Sequence, residues 1–322
     1  MTERISVIIP VYRSAEMIGD AIASALEQTI PCKVIVVDDA SGDGTVAAAR
    51  AAARGYDCVS ILEQSVNQGP AAARNRAIAA ADTEFVALLD ADDRMSSGRL
   101  ESMLTLADAH NWDFVADDLL HVTDWSRIEA ATRHWSDTDF GEIKLDLAMF
   151  VRENMPAYSG AGRELGYIKP IMRRDTLCAL DLRYDEGMRL GEDFDLYGRA
   201  LVEGVSFGMV DPRGYYAFNT PGSLSKRHRA DDLRAFWSAS RTLYHSPGIS
   251  DAARSLLKEH VLGAHTRWAW VRLIEAKHKR DPFDALGAFL APPKVVADLL
   301  GHVGEHIRRG RRGASKERQR IA

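Results

Sequence analysis

Several things this chain lacks narrow what it can be. It has only three cysteines, Cys32, Cys58 and Cys178, far apart and without Cys-x-x-Cys spacing. That excludes a disulfide framework or a zinc cluster as the organising feature, and a reducing cytoplasm is the expected compartment. No stretch of about 18 apolar residues occurs, so no bilayer-spanning helix is expected. The chain runs straight into Ile5–Val11 with no basic, then apolar leader, so no signal peptide is expected. A formal net charge of -5 gives no global attraction for nucleic acid. Glycine is missing where a dinucleotide fold needs it. The first strand–helix junction reads Pro10-Val11-Tyr12-Arg13-Ser14, so the GxGxxG of a dehydrogenase is absent. The same junction lacks the Gly-rich first loop of a sugar-nucleotide pyrophosphorylase. No Asp-x-Asp stands near the N-terminus, as a haloacid-dehalogenase-like phosphatase would require.

What is present is a regular alternation. Apolar strand runs at Ile5–Val11, Val34–Val37, Cys58–Leu62, Glu84–Leu89 and Trp112–Ala116 alternate with helical patterns at Met17–Leu26, 44–54, Ala71–Ala81 and Leu100–Ala109. Such alternation implies right-handed crossovers and an α/β fold with a mainly parallel sheet. Pro70 is well placed as a first helical residue. After Asp118 the alternation fails. Glu142–Arg152 reads as helix, 158–166 as a Gly-rich mobile segment, and Glu192–Glu203 as helix. From Asp231 onward the pattern is helical, ending in Val295–Ile307. The expected division is 1–228 as one α/β unit (1–118 and 119–228 as its halves), 229–307 as a helical region, and 308–322 as a basic, disordered tail.

Carboxylates recur at strand ends: Asp38-Asp39, Asp90/Asp92/Asp93 and Asp117-Asp118. In an open α/β sheet, ligands bind beyond the carboxyl ends of the strands. Asp90 and Asp92, two apart in extended backbone, point the same way, and converging carboxylates suit a hard divalent cation such as Mg2+ or Mn2+. Asp39 can accept a hydrogen bond from a base, Tyr12 can stack on one, and Pro10 shapes their loop. Arg74, early in the third helix, can reach a diphosphate. Further on, Gly191-Glu192-Asp193 opens a helix, whose dipole favours carboxylates. Asp193 is the candidate general base and Glu192 an acceptor anchor. Thr220–Ser225 is read as a turn leading into Lys226-Arg227-His228-Arg229, where His228 is a further candidate metal ligand.

Together these stretches resemble the family 2 glycosyltransferases of GT-A fold. The resemblance rests on Ser6–Tyr12, Val36–Ser41, Asn67-Gln68-Gly69 with Ala73-Arg74-Asn75, Leu89–Asp93 and Gly191-Glu192-Asp193, and it covers about residues 1–225. It implies a nucleotide-sugar donor, commonly a UDP-sugar, and a divalent metal. It places Pro10, Tyr12 and Asp39 around uridine, Arg74 at the nucleotide or diphosphate, and Asp90 at ribose or metal. Asp92 would ligate the metal, and Asp193 would be the base of an inverting transfer. The Gln-x-x-Arg-Trp motif and membrane spans of the processive members are absent. In this the chain looks like the single-addition enzymes of bacterial exopolysaccharide assembly, including the succinoglycan glucosyltransferases. These work on a lipid-linked oligosaccharide at the cytoplasmic membrane face. The seven basic residues between Arg308 and Arg320, against the single acid Glu317, allow peripheral contact with an anionic leaflet. The competing expectation is a degenerate nucleotide- or carbohydrate-binding module that binds UDP without turnover.

Overall fold

The computed structural model describes residues 3–155, 157, 163–218 and 228–321, with the backbone alone for 307 and 309–321. Most of the segment expected to be mobile (158–162), and the Thr220–Arg227 loop, lie outside the described residues. In the first half the elements are β1 (Ile5–Val11), α1 (Ile18–Leu26), β2 (Lys33–Asp38), α2 (Thr45–Ala52), β3 (Val59–Glu63), α3 (Pro70–Ala80), β4 (Phe85–Leu88), β5 (Arg94–Met95), α4 (Arg99–His110) and β6 (Phe114–Asp117). Then come β7 (Leu120–Val122), β8 (Thr132–Arg133), β9 (Glu142–Leu145), α5 (Leu147–Glu153), β10 (Ile171–Arg173), α6 (Arg174–Ala179), α7 (Glu192–Val202), β11 (Phe207–Val210) and β12 (Tyr215–Phe218). The chain closes with α8 (Ala230–His245), α9 (Asp251–Lys279), α10 (Pro282–Gly287) and α11 (Pro293–Ile321).

Eight strands form the central sheet in the order β3-β2-β1-β4-β10-β6-β11-β9. It is α/β and mostly parallel, as the alternation requires. The exceptions are β10, antiparallel to both its neighbours, and the edge strand β9, antiparallel to β11. Chain order reverses direction at β1, with β2 on one side and β4 on the other. That is a topological switch point, where a crevice opens at the strand ends. The β1–β4 pairing stops at Ile8↔Leu88, whereas β1–β2 continues to Val11↔Asp38. A small second sheet, β5-β12-β7-β8, lies beside it.

Two expectations are corrected. Glu142–Leu145 is not the start of a helix. Its alternating Glu-Ile-Lys-Leu makes the edge strand β9, and the helix begins after the Asp146 side chain caps Met149 N at 2.7 Å. The helical region after 229 begins on the main core, where Leu243, Ala253 and Leu257 join the cluster that packs on the sheet. Its own small cluster is Ala269, Ala288, Val295 and Leu299. Finally, α11 does not stop at Ile307 but continues to Ile321 through the basic stretch. That stretch has no proline and is dominated by arginine, a good helix former, which outweighs Gly310 and Gly313. Among the described residues no helix is long and apolar enough to cross a membrane.

Candidate active site

The crevice is built from the ends of β1, β2 and β4 and from the start of α7. At the end of β2, Asp39 anchors the turn that leads into α3. Its Oδ1 accepts from Gln64 Nε2 at 2.6 Å and Gln68 N at 2.7 Å, and its Oδ2 accepts from Gly69 N at 2.8 Å. Gly69 has φ 93° and ψ 169°, a conformation open essentially to glycine alone. The turn therefore places Pro70 at the first position of α3 and aims that helix's Arg74 inward. On the β1 side, Tyr12 is partly exposed and Arg13 lies over its ring, 5.1 Å from the centroid. Pro10 pairs with Val37 beside them.

Arg74 is a buried residue rather than a surface helix charge. Its Nη2 reaches Asp90 Oδ1 at 3.1 Å and its Nη1 reaches Glu192 Oε1 at 2.8 Å, with Asp193 Oδ1 at 3.5 Å. Its guanidinium also lies over the Tyr184 ring. A second buried cation completes the group: Lys169 Nζ is 3.1 Å from Asp90 Oδ2 and 3.0 Å from Asp193 Oδ2. Two cations thus bridge the end of β4 to the start of α7. Gly191 fixes that start. It has φ 73°, and a Cβ there would lie 2.3 Å from the Phe236 ring. Burial works to raise the Asp90 carboxyl, but Lys169 and Arg74 outweigh it and hold it well below the usual carboxylate range. Burial alone would lower the Lys169 ammonium; Asp193 and Asp90 outweigh it and hold it above its ordinary value. Among the described residues, the buried Oδ1 of Asp193 has no hydrogen-bond partner.

The structure thus brings Arg74, Asp90, Glu192 and Asp193 together. Asp92 follows in the turn after Asp90, half-buried. Asp93 turns away: Tyr215 Oη donates to its Oδ2 and Phe218 N to its Oδ1, each at 2.8 Å. Burial, then the neighbouring Asp90 and Asp92, push its carboxyl well above the usual range. His228 stands before α8 in a small cavity with Leu233, Arg267, Trp270 and Val271, and the structure does not bring it into the carboxylate group. Among the described residues no three His, Cys, Asp or Glu side chains gather as a metal-binding group. A metal carried by a diphosphate needs less. Mg2+ typically takes one or two carboxylates plus substrate phosphates and water; Asp92 is half-buried at that strand end, whereas both Asp90 oxygens already meet Arg74 and Lys169.

Sequence reasoning missed Lys169 and Tyr215. Lys169 carries one weak signal, a single cation inside the apolar Tyr167-Ile168-Lys169-Pro170-Ile171 run. Tyr215 carries none, because its role depends on partners more than 120 residues away.

A mostly parallel sheet with a switch-point crevice, acids at the end of β4 and an acidic helix start opposite them is the arrangement of a GT-A fold. The comparisons with known proteins agree. The family model described as "Glycosyl transferase family 2" matches residues 6–163. The chain is 34% identical over 301 residues to "Succinoglycan biosynthesis protein ExoU" of Rhizobium meliloti (strain 1021), covering 93% of this chain and 86% of that one. The chain belongs to the family 2 glycosyltransferases. Its fold is similar to that of S. aureus TarS 1-349 in complex with UDP, with a TM-score of 0.63 at 18% identity over 88% of this chain and 90% of that one. It is also similar to the mannosyltransferase PcManGT of Pyrobaculum calidifontis in complex with GDP-Man and Mn2+, with a TM-score of 0.56 at 17% identity over 95% and 81%.

Proposed function

We propose that this protein is an inverting, single-addition hexosyltransferase. It moves glucose from UDP-glucose to a hydroxyl of a glycan or lipid-linked oligosaccharide in bacterial exopolysaccharide synthesis, at the inner face of the cytoplasmic membrane. The observation that carries the catalytic part is the buried Asp193 carboxylate: Lys169 donates to its Oδ2, and its Oδ1 makes no hydrogen bond among the described residues, with Arg74 Nη1 3.5 Å away. The relationship to a succinoglycan biosynthesis protein supports the pathway class, and UDP in the TarS complex supports the donor class.

In this reading Tyr12 stacks on uracil beside Pro10. Asp39 Oδ2, which among the described residues accepts from Gly69 N, has a lone pair left for a base N–H. Asp92, with Asp90 alongside, holds a Mn2+ or Mg2+ ion, which when bound neutralises charge on the departing diphosphate. Asp193 Oδ1 takes the acceptor hydroxyl proton as that oxygen attacks C1 of the sugar, the C1–O bond to UDP breaks, and the diphosphate leaves on the opposite side. Glu192, held by Arg74, borders the acceptor side. Calorimetric titration of UDP, with Mn2+ and then with EDTA, tests the donor site. Metal-dependent binding is expected, with Asp92→Ala weakening it at unchanged thermal stability. Wild-type metal dependence in that variant removes Asp92 from the ligand set.

A further inference from the structure

A surface far along the chain from the catalytic acids has no part in the chemistry above. Between residues 283 and 290 three large apolar side chains face solvent: Phe283 is 84% exposed, Leu286 67% and Leu290 88%. Single exposed apolar residues need no explanation, but three in so short a stretch form a patch.

The fold clamps this patch in place. Asp281 Oδ1 accepts from Phe283 N and Asp284 N, each at 3.0 Å, which fixes the start of α10. Arg272 Nε donates to Asp284 Oδ1 at 2.7 Å. Beneath it, Ala288, Val295 and Leu299 bury against Ala269 of α9. Val295 and Leu299 of α11 are thus spent on the body, while Phe283, Leu286 and Leu290 are left outside, with Leu300 of α11 also exposed. The approach to the patch is basic. Lys277, His278, Lys279 and Arg280 are all exposed, Lys279 also reaching Glu275 Oε2 at 3.4 Å, and Lys294 follows the patch. The acids within it are already engaged, Asp281 as cap and Asp284 with Arg272. A second copy of this chain would bring the same cations face to face, which disfavours self-pairing. An anionic lipid surface complements the cations and gives the apolar groups somewhere to go.

We propose that Phe283, Leu286 and Leu290, flanked by Lys277, Lys279 and Arg280, dock this protein on an anionic bilayer. The proposal deepens the membrane-face reading above and rests on it. The test is flotation of the full chain with vesicles of phosphatidylcholine alone and of phosphatidylcholine mixed with phosphatidylglycerol. Wild type is expected to float with the mixed vesicles and to be released by salt. The combined variant Phe283→Ser, Leu286→Ser, Leu290→Ser is expected to lose roughly tenfold or more in partitioning with an unchanged circular dichroism spectrum. Lys277→Glu with Lys279→Glu and Arg280→Glu is expected to abolish the preference for phosphatidylglycerol. The proposal is overturned if the triple serine variant floats like wild type, which would make the basic end of α11 the anchor. Failure of wild type to float also overturns it, as does a wild-type dimer in light scattering that the serine variant splits without any change in flotation. UDP affinity measured on the same preparations separates the two readings. Nucleotide binding without flotation defeats this proposal alone, and flotation without nucleotide binding defeats the donor assignment alone.

Discussion

The ends of β4 and β6 look alike in sequence, each an apolar run closed by aspartates, yet they do opposite work. At β6, Asp117 is sealed. Arg99 Nη2 donates to its Oδ1 at 2.7 Å, and the backbone N–H groups of Arg213 and Tyr215 donate to its Oδ2. Asp118 is likewise buried, accepting from Trp135 N and Ser136 N. These acids hold the second sheet and the loop before β9 onto the core. At β4, Asp90 meets Arg74 and Lys169 at the edge of the crevice, with Asp193 on the far side of both cations. The lesson is that an acidic strand end takes its meaning from its long-range partners. Backbone donors make it structural, and shared side-chain cations make it part of a site. The two ends are also linked, because Arg99 Nη2 donates to the Lys169 carbonyl oxygen at 2.6 Å.

The sharpest way to break this contrast is Arg99→Leu. It leaves Asp117 buried without its cation, and losing one partner of a buried pair costs about 3–5 kcal/mol. Urea unfolding should show that loss; a loss under about 1 kcal/mol would mean the β6 end is not sealed as described. Lys169→Met should act on turnover as well as on stability, with Arg74 still pairing Asp90 and Asp193. Without Lys169 the Asp193 carboxylate is no longer aligned, and misplacement of a reacting group costs on the order of 100-fold in kcat, with the KM for donor less affected. Lys169→Arg should restore part of the rate. Equal loss in both variants would reduce Lys169 to a packing role.

The helical side supplies a smaller, pH-dependent effect. His260 stacks on Phe194, the residue after Asp193, with ring centroids 4.7 Å apart. Burial, then the charge of Arg267, pull its imidazole down from the ordinary 6.5 to about 4. Between those values the unfolded chain binds the proton and the folded one does not. Stability is therefore present above 6.5 and lost as pH falls toward about 4, by up to about 3 kcal/mol. His260→Gln should flatten this part of a thermal-stability profile against pH. An unchanged slope would assign the acid loss to other groups.

Much of this was legible in the sequence, for identifiable reasons. The strands and helices of residues 5–117 follow from apolar runs and periodicity, because parallel strands buried on both faces must be continuously apolar. Asp90, Asp193, Glu192 and Arg74 stand out in the sequence through their motifs. Their mutual contacts do not, since they join α3, β4 and α7 across about 100 residues of chain. β9 was read as helix because four alternating residues ran into a helical pattern without a break, and only pairing with β11 distinguishes them. Lys169 and Tyr215 were missed because nothing local marks a residue whose partners arrive from elsewhere. The identical look of Asp90 and Asp117 shows the same limit.

The central claim is that Asp193 is the base and that the cation-bridged acids exist to present it. The direct test compares wild type with Asp193→Asn for transfer of labelled glucose from UDP-glucose to extracted lipid-linked oligosaccharide, with UDP affinity measured in parallel. The account predicts unchanged UDP affinity and a loss of transfer on the order of 100- to 10,000-fold, the range for removing a general base. Transfer at the wild-type rate by Asp193→Asn would contradict it.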